Sequence, residues 1–246
     1  MKKRLDEALV ESGIVATRSR ARDAILRGLV RVDGDVVSKP GAAVIATARL
    51  TVAPEAGIGY VSRGALKLIA ALDHFKFDPA GRIALDAGAS TGGFTEVLLE
   101  RQAAKVFAVD VGHGQLHTRI AQDPKVVAME GQDIRSFAIP TGTAAITAIV
   151  IDVSFISLTK VLPHLMAMAG PDCWLVALVK PQFEAGRDAV GKGGIVRNEA
   201  ARAGVVENLT HLVSAAPGWK LCGVIPSPID GGSGNPEYLM GLIRHE

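Results

Sequence analysis

The first fifty residues alternate between helical and strand-like spacing of apolar positions. Leu5, Ala8 and Leu9 share a helix face ahead of Gly13, and a second helix is predicted to open at Thr17, with Ala21, Ala24 and Ile25 packing inward and Gly28 ending it. Val30 to Val37 then alternates around Asp33-Gly34, the strongest short hairpin signal. Beyond Pro54 to Gly59, a linker containing Pro and Gly, the pattern changes to nearly continuous apolar runs. These are Ile83 to Asp86, Val106 to Asp110, Val126 to Met129, Ile146 to Asp152 and Leu175 to Lys180, with helical segments between most of them. Runs this apolar are expected of parallel strands covered on both faces. Later strands are predicted at Lys220 to Ile225 and Tyr238 to Ile243. The expected fold is α/β: a Rossmann-like doubly wound sheet over residues 59–246, preceded by a small α/β module over residues 1–58.

Charge sharpens this division. Residues 1–60 hold ten Lys or Arg against seven Asp or Glu, whereas residues 61–246 hold 17 against 18, so any basic surface belongs to the first module. The longest uncharged run, Ser136 to Ile151, has sixteen residues and contains Pro140 and Gly142. It falls short of the roughly 18 to 20 apolar residues of a spanning helix. Met1-Lys2-Lys3-Arg4-Leu5-Asp6-Glu7 turns acidic where a signal peptide would be apolar, so a soluble, cytoplasmic protein is expected. Cys173 and Cys222 both lie in apolar runs and are expected as buried, reduced thiols.

The candidate chemistry gathers at the strand ends, where Asp86, Asp110, Asp152 and Lys180 stand. After Asp86 comes Ala87-Gly88-Ala89-Ser90-Thr91-Gly92-Gly93-Phe94-Thr95, a strand-turn-helix glycine loop. Its glycine spacing breaks the G-x-G-x-x-G pattern with which dinucleotide enzymes approach a pyrophosphate, and suits a less anionic nucleoside. Asp110 ends the next strand, where a carboxylate commonly grips ribose hydroxyls. In the first module, Arg18, Arg20, Arg22 and Arg27 ride on the second helix. They read either as a solvated face or as guanidinium groups for phosphates. His113 and His117 are four apart, but no third ligand follows at a sensible spacing, so no metal is expected.

Two resemblances add to these readings. The helix, arginine-rich helix, Gly28 and Val30-Arg31-Val32-Asp33-Gly34 arrangement resembles the alpha-L RNA-binding domain of the ribosomal protein S-four type, over residues 4 to about 50. It implies RNA contacts by Arg4, Arg18, Arg20, Arg22 and Arg27, with Arg63 beyond them. Asp86 to Thr95, Asp110 to Leu116, Asp152-Val-Ser-Phe-Ile-Ser-Leu158 and Ser62-Arg63-Gly64-Ala65-Leu66-Lys67-Leu68 together resemble the TlyA family. Its members are described as hemolysin-like proteins and as ribosomal RNA cytidine 2′-O-methyltransferases. Through FtsJ-type enzymes the resemblance implies S-adenosylmethionine as cofactor, held by Asp86, Gly88, Ser90, Thr91, Gly92, Gly93 and Phe94, with Asp110 on the ribose and Asp133 and Ile134 at the adenine. The family's Lys-Asp-Lys-Glu set falls on Lys67, Asp152, Lys180 and Glu237. One departure is Gly59-Tyr60, where the resemblance leads one to expect a bulkier, basic-aromatic approach to Val61-Ser62-Arg63.

Ribose methylation needs alignment and proton removal. Lys180 is the candidate base, although a lysine ordinarily titrates at about 10.4 and needs desolvation or a neighbouring cation to act so; a protonated Lys180 that only stabilises an oxyanion is the alternative. Plainer readings exist for each residue: Asp152 as a helix cap, Lys180 as a surface lysine, Glu237 as an edge residue, Arg63 and Lys67 as one solvated helix face. Gly191-Lys192-Gly193-Gly194-Ile195-Val196-Arg197 reads as a mobile lid or an ordinary long loop. The expected partner is ribosomal RNA or a ribosomal subunit, with no membrane, and a monomer is the expected assembly. The competing functions are a non-catalytic RNA-binding protein and a membrane-active hemolysin.

Overall fold

The computed structural model describes residues 2–15, 17–53, 59–231 and 234–245. The linker expected at Pro54 to Gly59 lies outside them except for Gly59. The chain divides into two units, Met1–Arg63 and Gly64–Glu246.

In the first unit, helix α1 (Leu5–Glu11) and helix α2 (Arg18–Leu26) pack through Leu5, Leu9, Ala21, Ala24 and Ile25. Thr17 caps α2 by accepting from the Arg20 amide at 3.3 Å. Strands β2 (Val30–Val32) and β3 (Asp35–Val36) form the expected hairpin, turning through Asp33 and Gly34, both at positive φ. Three short strands have no sequence counterpart: β1 (Lys2–Arg4), β4 (Ala43–Ile45) paired antiparallel with β1, and β5 (Leu50–Val52) paired with β2. At three residues each they are too short to display a period of two.

The second unit is a seven-stranded sheet. Its strands are β6 (Ile83–Ala87), β7 (Lys105–Asp110), β8 (Val126–Glu130), β9 (Ile146–Ile151), β10 (Ala169–Val179), β11 (Trp219–Pro226) and β12 (Tyr238–Arg244), in the order β11-β12-β10-β9-β6-β7-β8. The five from β6 to β10 pair parallel, with core residues such as Leu85, Phe107, Ile149 and Leu175 fully or almost fully buried. The chain runs outward from β6 to β8 and then returns to β9 beside β6, so the loops after β6 and β9 diverge and leave a crevice between them. β12 runs antiparallel to β10, bringing the residue before Tyr238 to the same edge as the residue after Val179. Cys173 is buried as expected, but Cys222 is exposed, because β11 is an edge strand whose residues alternate in exposure there.

Helix α3 (Gly64–Phe75) lies against β12. Phe75 rests on Gly241, where a Cβ would come within 2.6 Å of the ring, and stacks on Phe77, which in turn stacks on Trp174 of β10. Lys67, two turns before Phe75, is thereby carried toward the edge of the sheet where β10 ends and β12 begins.

Candidate active site

β6 passes through Gly88 (φ +88°), Ser90 and Gly92 into helix α4 (Gly93–Glu100). Gly88 has no room for a side chain, since a Cβ would lie 2.5 Å from the Asp152 carbonyl oxygen. A cleft of about 490 Å³ opens here, lined by Gly88, Ser90, Asp110, Asp133, Ile134 and Asp152 among others. Asp110 accepts hydrogen bonds from the amides of Ser90 (2.8 Å) and Gly112 (2.7 Å), which ties the ends of β6 and β7 together. Asp133 is chelated by Arg135, whose hydrogen bonds hold the carboxyl down at about 2. Apolar walls come from Val109, Val111, Val153 and Ile156.

The other expected cofactor residues do not line the cleft. Gly93 and Phe94 start α4 and are buried, Gly92 is its N-cap, and Thr91 precedes it, none of them lining the cavity. Asp86 is fully buried; Thr95 donates to one carboxylate oxygen at 2.6 Å, and the other oxygen has no partner among the described residues. Burial, reinforced by the charges of Asp152 and Asp110, pushes its pKa up to about 7, with the Thr95 bond opposing.

Lys67, Lys180 and Glu237 are 7, 9 and 4% exposed, so the surface readings of these residues fail. Lys67 Nζ meets Glu237 Oε2 at 2.5 Å. Lys180 Nζ lies 2.6 Å from Asp152 Oδ1 and donates to Ser154 Oγ at 2.9 Å. Val179 and Tyr238 are register partners, so Lys180 and Glu237 leave their strands at one edge, and Asp152 follows β9 next door. Two lysine–carboxylate pairs thus assemble from positions far apart in the chain.

Sequence reasoning passed over several residues here. Phe155 is 92% exposed, has φ +64°, lines the cleft and lies 5.1 Å from the Phe183 ring. It sits inside the Asp152–Leu158 motif, and an aromatic between two serines after a strand end was its available signal. Gln115, also in the cleft lining, accepts from Ser90 Oγ at 3.2 Å. Asn235 is 2% exposed; it accepts from the Val196 amide at 3.0 Å and donates to the Gly194 carbonyl at 2.8 Å. The glycine-rich segment is therefore moored beside the residues leading to Glu237, with Val196 fully buried.

In the first unit, Asp6 is buried and gathers Arg4 and Arg18 at 3.0 to 3.2 Å. These guanidinium groups, with the Arg4 bond leading, hold its carboxyl down at about 2. Arg27 and Arg63 share Asp23, and Arg20 donates to the Tyr60 carbonyl. Arg22 is exposed and forms no ion pair among the described residues.

Residues 60–244 match the FtsJ-like methyltransferase model, and residues 3–44 match the S4 domain model. The chain is 46% identical over 239 residues to the 16S/23S rRNA (cytidine-2′-O)-methyltransferase TlyA of Mycobacterium tuberculosis, covering 97% of this chain and 89% of that protein. It is 39% identical to Hemolysin A of Brachyspira hyodysenteriae, over 98% of this chain and 99% of that protein. A solved Streptococcus thermophilus structure that carries the hemolysin name superposes with a TM-score of 0.75 at 40% identity, over 100% of this chain and 89% of that one. Among the described residues no helix is long and apolar enough to cross a membrane. The fold, the paired lysines and carboxylates and the likeness along nearly the whole chain lead to one placement: the chain belongs to the TlyA family of FtsJ-like methyltransferases.

Proposed function

We propose that this protein transfers a methyl group from S-adenosylmethionine to the ribose 2′-hydroxyl of a cytidine in ribosomal RNA, residues 1–58 gripping the RNA and residues 59–246 carrying the reaction. The observation that carries this reading is the pair of ion pairs Lys67–Glu237 and Lys180–Asp152 at one edge of the sheet, where Asp152 also lines the cleft. The name of the M. tuberculosis relative supports the substrate.

The cleft fits the cofactor. Of the three acids that line it, Asp133 is paired with Arg135 and Asp152 with Lys180, which leaves Asp110 as the unneutralised charge and favours a cationic nucleoside over a pyrophosphate. Asp110 would hold ribose hydroxyls and Ile134 would cover the base. Asp133 would take the adenine amino group after loosening from Arg135, while Asp86, Thr91, Gly92, Gly93 and Phe94 shape the turn from below. When bound, S-adenosylmethionine supplies a methyl already activated on a sulfonium.

The chain's own residues then align and deprotonate the ribose oxygen. Lys180 Nζ, fixed between Asp152 and Ser154, takes the hydroxyl proton when neutral. Lys67, locked by Glu237, remains a fixed cation for the developing oxyanion. Exposed Phe155 offers a ring face against which an unstacked base can rest.

Mass spectrometry of ribosomal RNA nucleosides after incubation with protein and labelled cofactor tests the reading, with 2′-O-methylcytidine as the expected product. Lys180→Arg keeps a cation that does not deprotonate, and should lower single-turnover transfer by at least about 100-fold. Near wild-type transfer with an unchanged pH profile would move the proton acceptor away from Lys180.

A further inference from the structure

Helix α5 (Pro181–Glu184) begins directly after Lys180, its N-cap, so Lys180, Phe183 and Glu184 are held together by a single helical turn. Each of them touches the loop that follows β9. Lys180 meets Asp152 and Ser154. The Phe183 ring lies against Phe155. Glu184 accepts from Ser157 Oγ at 2.6 Å and from the Leu158 amide at 2.7 Å. The loop needs such a grip, because Phe155 occupies the left-handed region that non-glycine residues rarely adopt, and such a conformation persists only when its surroundings over-determine it.

We propose that Glu184 is a positioning residue for methyl transfer, holding the Asp152–Leu158 loop so that Asp152 and Ser154 meet Lys180. This rests on the reaction proposed above. Glu184 does not line the cleft and acts through the loop. Its two hydrogen bonds bracket the loop's far end: Leu158 is buried in the core and opens a 3-10 turn, Leu158–Lys160, whose first amide Glu184 receives. Lys180 holds the near end, four residues earlier in the chain. Asp152 keeps its backbone bond to the Ala87 carbonyl (2.9 Å), but with the far end released Ser154 and the Asp152 side chain lose the loop's support, and an error of about 1 Å in such a constellation can cost about 100-fold in rate.

The test compares the full-length wild type with Glu184→Ala, Glu184→Gln and Glu184→Asp, in single-turnover transfer to ribosomal RNA and in hydrogen exchange. Glu184→Ala should lower the transfer rate by about 100-fold, with a much smaller change in cofactor affinity. Glu184→Gln should restore most of the rate. Its amide oxygen still accepts from Leu158, and its amide nitrogen donates to Ser157 Oγ, which retains Thr159 Oγ1 as a partner. Glu184→Asp, one methylene shorter, should remain impaired. Amides between 153 and 158 should exchange faster in the Ala and Asp variants, with β9 and β10 unchanged. If Glu184→Ala does not fold, the Gln and Asp pair makes the same comparison. A Gln variant as slow as Asp, an Ala variant as fast as wild type, or unchanged exchange in the loop overturns this role alone. A wild type that transfers no methyl overturns the reaction and the role with it.

Discussion

Asp86 carries the clearest conflict between burial and charge. Its carboxyl is fully buried, one oxygen lacks a partner among the described residues, and its pKa in the folded chain is raised to about 7 from an ordinary value of 3.8. A carboxyl raised on folding contributes stability that is complete below the unfolded value and disappears as pH climbs through the folded one. Wild-type stability should therefore fall between about pH 4 and pH 7 relative to Asp86→Asn, by at most about 4 kcal/mol, and the difference should level off above that range. Urea titrations of both proteins at several pH values check this, because effects of the remaining carboxylates largely cancel in the difference. A constant difference across the range would show that folding leaves the protonation of Asp86 unchanged and that its pKa is not raised. Sequence alone marked Asp86 as a strand-end acid. It had no means of separating a residue beneath the turn from one facing the ligand, since both directions follow from one position in a β-α turn.

At the scale of elements, Gly241 governs how α3 sits. Its missing Cβ makes room for the Phe75 ring, and that ring is backed by Phe77 and then Trp174, so it has little freedom to retreat. Gly241→Ala should cost about 1–3 kcal/mol of stability by overpacking, with Gly241→Ala/Phe75→Leu recovering part of the loss in denaturant titrations. An unaffected single variant would mean that α3 has slack where it meets β12. The strands themselves were legible because their apolar runs are long, and the α2 cap and the Asp33-Gly34 turn were legible because their chemistry is local. The direction of β12 was not: Tyr238 to Ile243 reads the same whichever way it pairs, and only the pairing brings Glu237 beside Lys180. The early start of β10 was hidden by Gly170-Pro171-Asp172, which resembles a turn and here forms the irregular stretch between Ala169 and Trp174. Glu184 and Asn235 were hidden because their partners lie 26 or more residues away.

At the scale of the whole molecule, basic charge is concentrated in the first sixty residues, but most of those arginines already have company. Arg4 and Arg18 share Asp6, Arg27 pairs with Asp23 as does Arg63 just beyond this stretch, and Arg22 is exposed without an ion pair among the described residues. In RNA binding measured across salt concentrations, Arg22→Ala should therefore flatten the log–log slope by about 1. Arg18→Ala should flatten it by less, because Arg18 must give up Asp6 and Glu7 before it meets a phosphate. Equal slopes for the wild type and both variants would return this helix to a solvated face.

The mooring of the glycine-rich segment reaches beyond catalysis. Glu184 secures the chain on one side of it, and Asn235 with buried Val196 secures the other. A protease that cut after Lys192 would leave β10 on one fragment and β11 and β12 on the other, yet six register pairs join β10 to β12 across that cut. The two lysines would then reside on one fragment and Glu237 on its complement. Such a nicked protein would stay associated through its sheet, making this segment a natural place to divide the gene into two halves that reassemble into one catalytic edge.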